Sequence, residues 1–282
     1  MGIGEPLTGV GREGLGALLR GPGEAVLGLD FDGTLAPIVG DPADARAHPG
    51  AVPALARLAP RLRAVAVITG RPAEEAVAHG GFKGVAALAH LTVLGAYGAE
   101  RWDAATGEAH AAPAPPGVAA VRAELPPLLA ELGVPEGTWT EDKGRALAVH
   151  TRRTADPDRV LDLLREPLAG LAARHGLLVE PGRMVLELRP PGADKGAALK
   201  EFVREKGARS VAYAGDDLGD LAAYDAVEEM RGQGVNGLLV CSSAAGTGES
   251  VPELAARADL LVPGPEGVVA FLEGLAEEIS GA

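Results

Sequence analysis

The run Ala25-Val26-Leu27-Gly28-Leu29 leads straight into Asp30-Phe31-Asp32-Gly33-Thr34, and no other stretch constrains this chain as much. Five residues without polar alternation predict a strand buried on both faces, as in a parallel sheet covered by helices. Residues two apart in an extended chain share a face about 6.6 Å apart, so Asp30 and Asp32 can flank one small group where the strand ends. Open α/β sheets hold their ligands at that carboxyl end. Gly33 lets the backbone bend away, and Thr34 supplies a hydroxyl or a turn bond. Taken alone, D-x-D-G is equally an acid-rich turn after a strand.

Two further apolar runs end in polar loops of the same kind. Ala64 to Ile68 runs into Thr69-Gly70-Arg71-Pro72, where the Thr69 hydroxyl can donate to a phosphoryl oxygen or cap the helix that Pro72 opens. Ser210 to Ala214 runs into Gly215-Asp216-Asp217-Leu218-Gly219-Asp220. Three carboxylates within five residues repel one another and make best sense beside a hard, oxygen-seeking cation such as Mg2+. Asp194-Lys195-Gly196 opens a predicted helix over 195–206. A lysine there opposes the helix dipole unless an anion such as phosphate shares the site; otherwise Lys195 is a solvated surface cation.

These four segments, in this order, resemble the haloacid dehalogenase superfamily of phosphotransferases. The resemblance implies Asp30 as nucleophile, Asp32 as general acid and base, and Thr69 and Lys195 as phosphoryl clamps. It also implies a metal held by Asp30, Asp216 and the main-chain carbonyl of Asp32, with Asp217 and Asp220 behind them. The chemistry asks for the same types: an anionic nucleophile attacks a phosphate monoester only if cations neutralise the phosphoryl oxygens.

The chain has 282 residues, more than one core usually supports, and 47% of them are hydrophobic. Aromatics are 3% and net charge is -13, which together argue against a nucleic-acid partner. Cys241 is the single cysteine, so no disulfide or cysteine zinc site forms within the chain. The N-terminus has no apolar signal core and no run of 18 apolar residues occurs, so no membrane partner and a cytoplasmic location are expected. The expected state is a monomer or weak oligomer. G-x-G-x-x-G at Gly9 to Gly14 has no strand before it, and the one at Gly232 to Gly237 precedes a strand, so neither has the dinucleotide context.

Strands and helices alternate from 25 to about 95 and again from 195 to 278, which predicts an α/β fold: a Rossmann-like, doubly wound parallel sheet. Between them a helix at 117–132, strands near 138–142 and 146–151, a helix at 157–174 and a hairpin of 177–181 with 184–189 predict an inserted α+β unit. The expected division is a core of 1–109 and 192–282 and an insertion of 110–191. The resemblance makes that insertion a C2-type cap that selects the leaving group. Lys143, His150, Arg152, Glu180, Arg183 and Glu187 mix carboxylates with cations around its strands, as hydroxyl-rich ligands require; a salt-bridged, solvated face is the plain alternative. Glu187 and Arg189 fall on one strand face and are expected to pair.

The runs G-A-Y-G-A-E at 95–100, E-D-K-G-R-A-L-A-V-H-T-R at 141–152 and E-P-G-R-M-V-L-E-L-R-P at 180–190 resemble the trehalose-6-phosphate phosphatases. Departures from their usual pattern are Tyr97, Arg183, Asp194 and Gly219. This narrower resemblance implies Mg2+-dependent hydrolysis of trehalose 6-phosphate through an aspartyl phosphate, the last step of trehalose biosynthesis. It adds Arg71, Gly98 and Glu100 to the substrate contacts. The alternatives are a phosphatase for another sugar or polyol phosphate, or a catalytically silent regulatory module.

Overall fold

The computed structural model describes residues 3–111, 113–182, 184–243 and 251–281. In chain order its strands are β1 Ala25–Leu29, β2 Ala64–Ile68, β3 Leu91–Gly95, β4 Glu100–Asp103, β5 Ala109–Ala111, β6 Trp139–Asp142, β7 Leu147–His150, β8 Leu178–Gly182, β9 Val185–Arg189, β10 Ser210–Gly215, β11 Asn236–Ser243 and β12 Leu260–Pro263. The α-helices are α1 Gly9–Arg20, α2 Ala51–Leu58, α3 Ala73–Gly80, α4 Pro116–Glu131, α5 Pro157–Arg174, α6 Lys195–Lys206, α7 Leu221–Gly232, α8 Pro252–Arg257 and α9 Gly264–Gly281. The chain forms two compact units, Met1–Ala111 with Asp194–Ala282, and Ala112–Ala193. Each boundary lies two residues beyond the one read from the sequence.

The first unit is built on one sheet of order β12-β11-β10-β1-β2-β3-β4-β5, parallel from β12 to β3 and antiparallel for the last two strands. Residues of β1 alternate between its two faces, which is why the run had to be apolar throughout. Leu27 and Leu29 pack with Leu55 and Leu58 of α2 and Leu272 and Leu275 of α9. Val26 joins Leu199 and Phe202 of α6 and Val227 of α7 on the opposite face. Each such aliphatic burial contributes roughly 1.5–3 kcal/mol. Strand order reverses at β1, whose neighbours are β2 on one side and β10 on the other. That is the topological switch point, where carboxyl-end loops diverge and open a crevice.

Several elements differ from the sequence reading, α1, β4 and β5 among them. α1 is a helix despite four glycines, because they let it lie against the sheet: a Cβ on Gly14 would sit 1.9 Å from the Gly237 carbonyl oxygen. Gly9 to Gly14 thus belongs to close helix–sheet packing. β4 and β5 extend the sheet as a short antiparallel edge where no strand was expected, since neither carries a continuous apolar run and β5 is exposed along its length.

The second unit is a four-stranded antiparallel sheet, order β6-β7-β9-β8, with α4 and α5 on one face. Leu147, Val149, Leu186 and Leu188 point to those helices and pack with Val121, Leu125, Leu164 and Leu168. Ala148, His150, Glu187 and Arg189 alternate onto the opposite face.

Candidate active site

Asp30 leaves β1 still in register, its N–H bonded to the Ala214 carbonyl oxygen at 2.9 Å. The next residues wind into a tight turn in which Leu35 and Ala36 both donate to the Phe31 carbonyl oxygen at 2.8 Å. Gly33 has φ +80°, and a Cβ there would lie 2.0 Å from Asp216 Oδ2. Glycine is therefore required twice, by the backbone and by the carboxylate from β10 that sits against it. Thr34 approaches the same carboxylate, at 3.4 Å from Asp216 Oδ1, and Ser242 at the end of β11 donates to the Gly33 carbonyl oxygen at 2.7 Å.

Lys195 is the first residue of α6, behind the N-cap Asp194. It is buried, and its Nζ donates to Asp30 Oδ1 and to Asp220 Oδ1, each at 2.8 Å, with Asp217 at 3.9 Å. The acids answer a charge that the helix start disfavours. Burial would lower the lysine's pKa, but the Asp220 and Asp30 charges outweigh it and hold the ammonium well above its ordinary range.

Asp220 is fully buried yet held below the usual carboxylate range. Burial pushes it up, and Lys195, Tyr213 and main-chain N–H groups together pull it further down. Its Oδ1 accepts from Lys195 and from Tyr213 Oη at 2.6 Å, and its Oδ2 from the N–H of Asp216 at 2.9 Å and of Asp217 at 3.1 Å. Asp30 goes the other way. Burial first, then the Asp220 and Asp217 charges, raise it well above the ordinary value against the pull of Lys195. Asp216 is raised well above its ordinary value by burial and by Asp30, Asp217 and Asp220.

Oxygens of Asp30, Asp216 and Asp220 lie within 4.8 Å of one another, close enough to hold a metal ion. The donor set is narrower than that distance suggests. Both Asp220 oxygens are already saturated with donors, whereas among the described residues no donor reaches the second oxygen of Asp30 or of Asp216. Two carboxylates, each with an oxygen left over, match a hard divalent cation that keeps water and phosphate in its other positions.

Thr69 follows β2, buried, and its hydroxyl accepts the Arg71 N–H at 3.1 Å. Loop 96–98 is stitched onto it: Tyr97 donates its N–H to the Thr69 carbonyl oxygen at 3.0 Å, and Ala96 to that of Arg71 at 2.8 Å. Ala96 and Tyr97 adopt left-handed φ of 47° and 58° to do so, a strained arrangement of the kind that clusters at functional loops. Arg71 does not stand open toward a ligand. Its guanidinium grips both oxygens of Asp32, at 2.7 and 2.8 Å, and also reaches Glu75 and the Pro42 carbonyl oxygen. Glu100 accepts the N–H of Ala73 at 2.8 Å and so caps the start of α3, while Gly98 is exposed at φ 96°.

In the second unit the polar sheet face pairs off differently from the expectation. Lys143 bonds Glu187 at 2.6 Å, and Arg189 bonds Glu180 at 2.7 Å rather than Glu187. Glu180 and Glu187 stand directly opposite across β8 and β9, so each like charge takes its own cation. His150 stacks on Trp139, ring centres 4.4 Å apart, and its Nε2 lies 2.8 Å from Glu141. Arg152 sits just past β7, and Arg183 lies outside the described residues. Sequence reasoning passed over Tyr213, Ser242, Glu75 and Glu141. Only Tyr213 left a trace, in the glycine at the centre of β1.

The fold, with this ring of aspartates around one lysine at the switch point of its parallel sheet, is that of the haloacid dehalogenase-like hydrolases: one from Bacteroides thetaiotaomicron shares it with TM-score 0.57 at 16% identity over 91% of this chain and 98% of that one. Among the described residues no helix is long and apolar enough to cross a membrane. The chain belongs to the trehalose-phosphatase family, whose profile matches residues 28–255. It is 39% identical over 218 residues to a trehalose-phosphate phosphatase of Mycobacterium avium, covering 73% of this chain and 52% of that protein. Over 232 residues it is 34% identical to a probable trehalose-phosphate phosphatase of Sinorhizobium fredii, covering 79% of this chain and 81% of that one. The chain thus spans about half the length of the mycobacterial relative. The C-terminal domain of a Candida albicans trehalose-6-phosphate phosphatase shares its fold, with TM-score 0.77 at 20% identity over 98% of this chain and 99% of that one.

Proposed function

We propose that the protein hydrolyses trehalose 6-phosphate to trehalose and phosphate in a cytoplasmic biosynthetic step, with Asp30 as the nucleophile. The observation that carries this reading is the Lys195 ammonium fixed at 2.8 Å from both Asp30 and Asp220. Asp220 is already saturated, so Lys195 has its remaining N–H for a phosphoryl oxygen beside Asp30. Asp30 attacks phosphorus, the ester oxygen leaves, and the phosphoryl group is carried on the Asp30 carboxylate. Asp32 gives the departing sugar oxygen its proton and then takes one from the water that hydrolyses the acyl phosphate. Because Arg71 grips both oxygens of Asp32, each proton transfer requires one of those bonds to be exchanged. Thr69, buried at the end of β2, supplies a hydroxyl to the phosphoryl group.

Asp30 and Asp216, with the main-chain carbonyl of Asp32, would hold Mg2+. Bound there, the ion supplies the positive charge that lets one anion approach another. Asp217 and Asp220 lie behind this set. The polar sheet face of the second unit, with Lys143, His150, Arg152, Glu180 and Glu187, together with Arg183, would bind sugar hydroxyls and set the leaving group.

Phosphate release from a panel of trehalose, sucrose and glucose 6-phosphates in Mg2+ tests the reading. Trehalose 6-phosphate is expected to exceed the others in kcat/KM by tenfold or more, the order one or two extra sugar hydrogen bonds provide. A flat panel would assign the protein to a broader sugar phosphatase.

A further inference from the structure

Gly28 sits in the middle of a central, fully buried strand, where a glycine forfeits packing. Its partner across the sheet, in register, is Tyr213 of β10. A Cβ on Gly28 would lie 2.8 Å from Tyr213 Cδ2 and 3.0 Å from Leu199 Cδ1. The glycine thus vacates the space that the tyrosine ring fills. Tyr213 has no solvent exposure, and the edge of its ring is fixed against Tyr224, centroids 6.4 Å apart at 88°. Pinned this way, its hydroxyl reaches Asp220 Oδ1 at 2.6 Å, the same oxygen that Lys195 Nζ meets at 2.8 Å. Lys195 meets Asp30 at the same 2.8 Å.

Two donors therefore share one oxygen, and the lysine divides itself between Asp220 and Asp30. We infer that Tyr213 is a positioning residue for phosphoryl transfer, its hydroxyl taking up part of the Asp220 charge so that Lys195 stays shared with the Asp30 nucleophile instead of collapsing onto Asp220. Burial and the Asp220 carboxylate hold the phenol's proton in place far above its ordinary range, so it is a permanent donor. The inference deepens the phosphatase reading and rests on it.

The test compares wild type, Tyr213→Phe, Asp220→Asn and the double variant in phosphate release from trehalose 6-phosphate with Mg2+, alongside thermal melting. Tyr213→Phe keeps the ring that Gly28 accommodates, so it should melt within about 5 °C of wild type. Its kcat should fall about tenfold with KM within about twofold, because ground-state sugar contacts are untouched. Tyr213 acts through Asp220, so the double variant should be no more than about twofold slower than Asp220→Asn alone. Unchanged kcat in Tyr213→Phe, losses that multiply in the double variant, or a kcat loss matched by the unfolded fraction would each overturn the inference while leaving the phosphatase reading standing. Absence of phosphate release by wild type would overturn both.

Discussion

Asp220 is wholly buried and yet ionised because four donors converge on its two oxygens, whereas Asp30 and Asp216, a few ångströms away, lack that supply and are pushed upward. The contrast separates an acid whose oxygens are all taken up from acids with an oxygen that no described donor reaches. Glu100 shows the same logic outside the cluster. It takes the Ala73 N–H at the start of α3, whose N-cap residue Pro72 offers no side-chain acceptor. Glu100→Ala should cost about 1–2 kcal/mol in chemical denaturation, the usual loss of a helix cap, with kcat and KM for trehalose 6-phosphate unchanged. A large rise in KM with unaltered stability would instead support the substrate contact expected of Glu100. At this scale the strand-end acids and Lys195 were legible as types in costly places: clustered carboxylates, and a lysine against a helix dipole. The bond partners were not, because Tyr213, Asp220 and Lys195 meet only once β10, its loop and α6 are assembled.

β7 and β9 carry apolar residues toward α4 and α5 and charged residues away from them, so one alternation both builds the second unit and furnishes its polar face. Lys143 and Glu187 have side chains only 15% and 7% exposed, a buried pair in which removing one partner is costly. Lys143→Ala should therefore destabilise the unit by about 3 kcal/mol. Glu180→Ala should cost less, since Arg189 keeps the Ala193 and Pro190 carbonyl oxygens. Lys143→Met with Glu187→Leu should recover the stability without recovering kcat/KM on trehalose 6-phosphate. Glu180→Ala should lose about 1–3 kcal/mol of transition-state binding on that substrate and leave p-nitrophenyl phosphate hydrolysis intact. Equal losses on both esters would mean the face only holds the unit together. Among elements, the parallel strands were readable from continuous apolar runs and the hairpin from its turn. α1 was hidden by glycines placed for close contact, and the Glu180–Arg189 pairing by a cross-strand geometry that alternation along one strand does not specify.

For the molecule as a whole, the acidic site should couple folding to pH and, through the proposed Mg2+, to cations. Asp30, Asp216 and Asp217 all bind their protons more tightly in the folded protein than their ordinary values imply. Packing around its carboxyl, then the Asp220 charge, push Asp217 up to about 6 against the pull of Lys195, although its half-exposed side chain makes its share the smaller one. Their contribution to stability is full below the ordinary value of 3.8 and is lost as pH rises through about 6 and beyond. Without divalent cations the protein should then melt lower at about pH 8 than at about pH 5 through these groups. Mg2+ bound as proposed, at a hundredfold excess over Kd, should stabilise by about 2.7 kcal/mol, and the rise in Tm should be larger at the higher pH. A Tm indifferent to Mg2+ at both would remove the metal from the site.

The proposed phosphoryl transfer to Asp30 is the step on which the rest of the mechanism depends, and it would leave a trace that can be read directly. Borohydride added during turnover of trehalose 6-phosphate reduces an acyl phosphate to an alcohol, converting the aspartate that carries it into homoserine. Peptide mass spectrometry should find homoserine at position 30 and unaltered aspartate at 32 and 216, with none at 30 when substrate is omitted. Undiminished phosphate release with Asp30 unmodified, or homoserine at Asp32, would contradict the account.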